Sequence, residues 1–386
     1  MANLKVDTIS GIGTEGPVLN GGLKFRSKNY LTLPKGTTAE RTATSSGIST
    51  VIGAIRYNTD SNKMECYVNN KWMQVSVTHE ASPLGGRGLF CGGYTYSPLA
   101  TTGNSNVIEY ITISTRGNAV DFGDGTQRER DRRNGAASQT RGVLAGGTAG
   151  HPSPSLTDRI EFVTIPTTGN ATDFGNLDAA NRGPGGTSNA TRGIFAGGGA
   201  PGNVDTIQFI TIPSTGDATN FGDLSRQTTS VGTVNSPTRG VFVGGQSPGF
   251  ENIIEFITIA STGNAVDFGD TITAAGQIAG VSNGVRGVLA GGYSSPSSPY
   301  SNNTISFITV ASTGNAQEFG DLSLGTRFNI AGVCDSKRGV FGAGQPGNSV
   351  NMESIEIATR GNSVDFGDLA QNHEQAASVS NTHGGL

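Results

Sequence analysis

The chain has 386 residues, with 26 Lys plus Arg against 30 Asp plus Glu and a formal charge of −4. That weakly acidic balance, with no basic half, excludes an electrostatic nucleic-acid binder, and no apolar run approaches the ~18 residues of a membrane span. Glycine, at 59 residues, is roughly twice its usual ~7% share, without the period of three that collagen needs. The opening, Met1 to Asp7, lacks the basic-then-apolar pattern of a signal peptide. Cys66, Cys91 and Cys334 are odd in number and far apart, so they form no disulfide framework. His79, His151, His373 and His383 show no ligand spacing. These residues read as ordinary thiols and surface imidazoles, and neither a metal nor a cofactor is expected.

In chain order, residues 1–80 come first and carry no repeat. Asp7-Thr8-Ile9-Ser10-Gly11 leads to Gly22-Leu23-Lys24-Phe25 and Tyr30-Leu31-Thr32-Leu33-Pro34. Gly53 to Asp60, Lys63 to Val68 and Lys71 to Val75 then read as a three-stranded meander, with turns at Asp60-Ser61-Asn62 and Asn69-Asn70. Tyr57, Tyr67 and Trp72 are expected on its apolar face. So few large apolar side chains bury little core, which suggests a segment stabilised by association.

Residues 81–386 are repetitive, and the repeat decides the architecture. Arg-Gly followed by apolar residues and glycines occurs six times, starting at Arg87, Arg141, Arg192, Arg239, Arg286 and Arg338, at intervals of 54, 51, 47, 47 and 52 residues. A strand such as Ile254-Glu255-Phe256-Ile257-Thr258-Ile259 follows in each, and then a turn and short strand such as Thr262-Gly263-Asn264 leading to Asp267-Phe268-Gly269-Asp270. Phe-Gly-Asp is present in five repeats, the second has Phe174-Gly175-Asn176, and Asn220 replaces the first acid in the third. A short, small-sided element such as Ala331-Gly332-Val333-Cys334 precedes the next Arg-Gly. Four strands per repeat are therefore expected. The first repeat lacks its small-residue strand, and Ala376 to Asn381 at the far end supplies a candidate. Pairing of that segment with the Arg87 strand would leave no open edge.

The double glycine after an apolar strand and the ~50-residue period resemble kelch-type β-propellers, with Phe where kelch repeats usually place Trp. The resemblance implies an all-β chain: a six-bladed kelch-like propeller over 81–386, closed by the C-terminal strand, after a small β module over 1–80. The Gly53-Ala54-Ile55-Arg56-Tyr57-Asn58-Thr59 strand and the Asn-x-x-Trp turn resemble short modules of tailed-phage fibres and appendages. Leu4 to Ser10, with the Ile-Glu-Phe-Ile-Thr-Ile and Asp-Phe-Gly-Asp vocabulary, resembles structural proteins of phages that infect cyanobacteria. That resemblance implies a virion protein (tail fibre, appendage or decoration). Its N-terminal module would attach it to other virion proteins and oligomerise, a trimer being favoured, and its propeller would present a surface to a host glycan or protein. A propeller lectin or carbohydrate-active enzyme is the alternative. A cellular kelch adaptor fits less well, because residues 1–80 lack a helical pattern.

Among candidate sites, the six arginines could ring one mouth of the propeller and bind an anion. Their recurrence in every repeat favours a structural role instead, bonding carboxylates or carbonyls between blades, with Asp124, Asp223, Asp270, Asp321 and Asp368 available. The Asp-Phe-Gly-Asp acids are too few for calcium and read as turn caps. The charged run Arg128 to Arg133 reads as a solvated loop; its alternative is a partner contact, with Arg130 and Arg132 the candidates. Variable Tyr/Ser/Gly/Asn loops follow the double glycines and suit adaptable recognition, which makes Tyr94, Tyr96, Tyr293 and Tyr300 candidate contacts. No catalytic constellation stands out.

Overall fold

A computed structural model describes residues 33–41, 54–61, 63–68, 71–74, 86–95, 103–131, 134–150, 153–294, 301–346 and 350–386. The chain divides into two compact units, Met1–Glu80 and Ala81–Leu386. In the first, β1 (Lys35–Gly36) pairs in parallel with β2 (Ile55–Asn58), and β2, β3 (Lys63–Val68) and β4 (Lys71–Gln74) form an antiparallel meander. Tyr57 does not share a face with Tyr67 and Trp72. It pairs with Met64, whereas Tyr67 pairs with Trp72, and successive strand residues point to opposite sides. The interior of this sheet is polar. Fully buried Asn58 donates to fully buried Glu65 at 2.9 Å, and Arg41 Nε donates to Glu65 at 3.0 Å. The Arg41 guanidinium, then Asn58, hold the Glu65 carboxyl below the usual carboxylate range against the cost of burial. Ile55, Tyr57 and Met73 are exposed.

The second unit is all β, built of antiparallel sheets of the propeller-blade kind. Sheet one is ordered Ala377–Ser380, Arg87–Thr95, Gly103–Thr112, Val120–Asp124. Sheet two runs Ala136–Ala137, Arg141–Ala145, Arg159–Thr164, Thr172–Asn176. Sheet three runs Gly185–Ser188, Arg192–Ala196, Gly202–Thr211, Thr219–Thr228. Sheet four runs Gly232–Asn235, Arg239–Val243, Ile253–Thr258, Val266–Asp270. Sheet five runs Ala279–Ser282, Arg286–Ala290, Thr304–Thr309, Gln317–Asp321. Sheet six runs Ala331–Cys334, Arg338–Gly342, Asn351–Glu356, Val364–Asp368. The last strand of the chain thus pairs with the first Arg-Gly strand, Ala377 opposite Cys91 and Ser380 opposite Gly88.

The core lies between successive sheets. Ile160 and Phe174 of sheet two pack with Phe195 and Ile210 of sheet three, and Val340 and Phe366 of sheet six pack with Phe90 and Ile111 of sheet one. Burial of such side chains contributes ~1.5–3 kcal/mol each. Glycine shapes these joints. A Cβ on Gly123 (φ 145°) would lie 2.6 Å from the Gly169 carbonyl of the next sheet's Thr-Gly-Asn turn, so only glycine lets the two backbones meet. Each turn's Asn or Asp then accepts from the backbone N–H that follows. Asn170 takes Asp124, Asp217 takes Asn176, Asn264 takes Asp223, Asn315 takes Asp270, Asn362 takes Asp321 and Asn118 takes Asp368, at 2.9–3.1 Å. The acids thus contribute their N–H groups to inter-sheet bonds rather than capping their own turns.

The small residues of the first strands answer a different demand. A strand edge without a neighbour exposes N–H and C=O groups that need partners. Here the next sheet's side chain supplies them. Ser188 Oγ donates to Ala137 O at 2.9 Å and accepts from Ala137 N–H at 2.8 Å. Asn235 donates to Ser188 O, Ser282 to Asn235 O, and the Cys334 thiol to Ser282 O. Ser380 Oγ accepts from Cys334 N–H at 3.3 Å. Short polar side chains are the ones that reach across so narrow a gap. Together these strands surround a cavity of about 50 Å³.

Candidate binding surface

The six arginines are used inside the architecture. Arg87 donates to Ile165 O, Arg141 to Ile212 O, Arg192 to Ile259 O, Arg239 to Val310 O, Arg286 to Ile357 O and Arg338 to Ile113 O, at 2.8–3.1 Å. Each acceptor belongs to the next sheet, and the sixth belongs to sheet one. The first five guanidiniums also lie 4.4–4.7 Å over Tyr110, Phe162, Phe209, Phe256 and Phe307. Each ring also meets the Phe of Phe-Gly-Asp (Phe-Gly-Asn in sheet two) edge-on at 5.9–6.2 Å. Arg338 pairs instead with Glu356, because Ser354 stands where the aromatic would be. Carbonyls, not the Phe-Gly-Asp carboxylates, are the partners.

A second recurring device was not legible beforehand. Glu109, Glu161, Gln208, Glu255 and Glu353 on the third strands are 0–4% exposed. Each accepts from a backbone N–H just after the preceding sheet's Phe-Gly-Asp/Asn: Ala370, Thr126, Asp178, Ser225 and Ser323, at 2.8–3.0 Å. Arg226 reaches Glu255 at 2.9 Å, Arg327 reaches Glu353 at 3.2 Å, and His373 lies 3.5 Å from Glu109. His373 is therefore a buried joint residue, 1% exposed, not a surface imidazole. His383, only partly buried, sits among the first strands, hydrogen-bonded to Asn235 and Ala137. In sheet five Ser306 takes the Glu position, and a cavity of about 20 Å³ opens beside it.

The end of the sheets beyond the double glycines carries the singular features. Both glycines hold positive φ, as at Gly92 (63°), where a Cβ would lie 2.8 Å from Glu129 O. Ala343 adopts the same φ of 63° in the sixth copy. Asp131, Ser230, Gln277, Asn329 and Gln375 have φ of 55–62° at matching places before the first strands, with Gly183 as the remaining one. Their backbones link across sheets, Gly183 N–H to Asp131 O at 2.6 Å and Gln277 N–H to Ser230 O at 2.8 Å. A left-handed backbone at non-glycine residues costs ~1 kcal/mol or more each, and at Asp131, Ser230 and Gln277 it is held by those cross-sheet bonds.

Two candidate contacts change meaning. Tyr94 is not in a loop. The Arg87–Thr95 strand runs through it, and it is 7% exposed, its ring covered by Arg130 at 4.9 Å. Nor is the charged run a solvated loop throughout. Glu129–Arg130 is a strand paired with Thr148–Ala149, Glu129 is 1% exposed, and Asp131 accepts from Thr148 at 3.0 Å. Tyr96, Tyr300 and Arg132 lie outside the described residues.

Tyr293 gains partners. It meets Phe250 edge-on at 5.1 Å and Phe328 at 5.0 Å, and all three rings are partly exposed. The Phe250 and Phe328 rings come from the loop of sheet four and the segment entering sheet six, so three consecutive repeats build one aromatic cluster. Neither Phe recurs at its place in the other repeats, and that irregularity was the available signal. Among the described residues no group of three or more His, Cys, Asp or Glu converges as metal ligands. No protein-family model matches the chain, and no curated protein matches it either.

Proposed function

We propose that the chain is a phage virion structural protein whose second unit is a six-bladed, kelch-like propeller closed by its C-terminal strand, displaying a binding surface. Supporting the ring is the cyclic order of the arginine bonds, which return from Arg338 to Ile113. The reading of a binding surface rests on one observation: the partly exposed Phe250–Tyr293–Phe328 cluster, set on a frame whose recurring polar groups are consumed in joining sheets. Aromatic rings on rigid backbone give large contact area at low entropic cost. The virion assignment rests on the sequence resemblance, and residues 1–80 are the attachment and oligomerisation module in this reading.

The test is competition for host adsorption. The purified full chain is incubated with susceptible cells before phage is added, beside a Tyr293→Ala/Phe328→Ala variant. A dose-dependent block by the wild type that the variant loses supports recognition through this cluster. Binding abolished by free sugar would favour the lectin reading of the same surface. No block and no cell binding would remove recognition and leave a bracing or decorative role.

A further inference from the structure

The cavity among the first strands is lined from all six sheets, by Asn134, Thr187, Asn235, Ser282, Cys334 and Ser380 among others. After Ser380 the chain turns across this cavity. Asn381 accepts from Arg87 N–H at 2.8 Å, and Thr382 Oγ1 donates to Cys334 O at 3.2 Å. Gly384 and Gly385 follow in contact with sheets three to five; a Cβ on Gly385 would lie 2.9 Å from Asn235 Nδ2. His383 also lines the cavity and holds this segment to three sheets.

The bonds of its imidazole fix one protonation state. Nδ1 faces two donors, Asn235 Nδ2 at 3.0 Å and Gly385 N–H at 3.1 Å, so it must be the bare acceptor. Nε2 faces Ala137 O at 3.0 Å and carries the proton. Ser188 Oγ lies 3.3 Å from Nε2 and already donates to Ala137 O, which agrees with Nε2 as the donor. A second proton, on Nδ1, would remove two accepted bonds and set an N–H against two N–H groups. No carboxylate lies on the surrounding strands Ala136–Ala137, Gly185–Ser188, Gly232–Asn235, Ala279–Ser282, Ala331–Cys334 and Ala377–Ser380 to compensate the charge. Their one titratable group is the Cys334 thiol, with Asp335 next in sequence. The segment 381–386 bears no ionisable side chain besides His383.

We propose that Asn381–Leu386 is a proton-released latch over the axial cavity: neutral His383 seals it, and protonation of Nδ1 frees the segment and opens the cavity to solvent. Burial, opposed in part by the Ala137 bond, pushes His383 down to about 4 from an ordinary 6.5. The sign follows. The free segment takes up the proton more readily than the docked one, so docking is at full strength above pH 6.5. It weakens as pH falls towards 4, the opening constant rising by up to about tenfold per pH unit.

Cys334 lines the cavity and reports on the latch. In the full chain carrying Cys66→Ser, Cys91 and Cys334 are the remaining thiols, and Cys91, buried in sheet one, reports wholesale unfolding. Both are labelled with a dithiodipyridine reagent that stays reactive in acid. The expected result is a Cys334-to-Cys91 labelling ratio at least about tenfold higher at pH 4.5 than at pH 7, as the linkage requires. His383→Gln, which cannot titrate in this range, should hold that ratio constant. His383→Ala should raise Cys334 labelling already at pH 7. A wild-type ratio that stays level, or one that rises equally in His383→Gln, overturns the latch. Should either variant fold poorly, the wild-type ratio alone still decides.

Discussion

Five of the inter-sheet joints contain a buried Glu or Gln that accepts from the backbone of the preceding sheet, and the joint between sheets four and five has Ser306 with a cavity of about 20 Å³. That volume holds about one water. Asn302 Oδ1 lines the same region and is buried without a hydrogen-bond partner. Ser306→Gln should repair the joint. By analogy with Gln208, which accepts from Asp178 N–H at 3.0 Å, the new carbonyl oxygen would accept from Ile272 N–H, and its amide would donate to Asn302. Two hydrogen bonds contribute ~1 kcal/mol each, and the one newly buried methylene, Cγ, ~0.8 kcal/mol. Ordering the Gln side chain costs up to ~2 kcal/mol. The net expectation is a stabilisation of about 1 kcal/mol, or roughly 2 °C in Tm for a domain of this size. Calorimetry of the full chain, with urea denaturation as a second measure, reads it, and Ser306→Ala serves as a control expected near zero. If Ser306→Gln proves less stable than Ser306→Ala, the Glu/Gln positions are not equivalent joints, and the reading of Ser306 as a missing link fails.

Other outcomes follow from the same contacts. Glu353→Ala leaves Arg327, 4% exposed at its side chain, without its carboxylate, and should cost ~3–5 kcal/mol in denaturant unfolding. Arg192→Met removes a charged donor to Ile259 O and a cation lying 4.4 Å over Phe209, a loss of ~2–3 kcal/mol measurable the same way. Gly222→Ala places a Cβ 2.5 Å from the Gly263 carbonyl carbon, whereas a Cβ on Gly263 meets nothing within 4 Å. Gly222→Ala should therefore destabilise by several kcal/mol and Gly263→Ala by only the backbone cost of ~1 kcal/mol. Burial pushes the Cys334 thiol up to about 11 from 9.0. The folded chain then holds that proton longer than the unfolded one, so stability is intact below pH 9 and falls by ~2–3 kcal/mol as pH rises to 11. Cys334→Ser should remove that alkaline slope, and an unchanged slope in urea melts at pH 8 to 11 would refute it.

Much of the strand plan was legible in the residues, because each strand declares itself locally. Ile254 to Ile259 is apolar and β-branched, Phe-Gly-Asp recurs, and Ala376 to Asn381 stands apart as a strand lacking a sequence neighbour. Its pairing with Arg87–Thr95 followed from counting strands per repeat. The recurrence of the arginines also pointed to structure rather than a ligand. What each guanidinium touches was not legible, since Ile165 O lies 78 residues from Arg87 and a carbonyl leaves no mark on composition. The buried acids of the third strands were hidden for the same reason. A Glu within an apolar run resembles an outward-facing residue until the preceding sheet's backbone is placed against it.

The candidate surface shows the division most clearly. Tyr94 and Tyr293 follow the same double glycine, and nothing local separates them. Tyr94 is covered by Arg130 from the next repeat, while Tyr293 joins Phe250 and Phe328 from the repeats on either side. In the first unit, alternation along each strand was readable, but the cross-strand register put Tyr57 opposite Met64 and away from Trp72. The local chain, through propensity, turn glycines and repeat length, determined which segments are strands and how many sheets they make. Tertiary structure alone decided which polar groups meet across a joint, because those contacts depend on the spacing between sheets, to which residues 30 to 261 positions apart contribute equally.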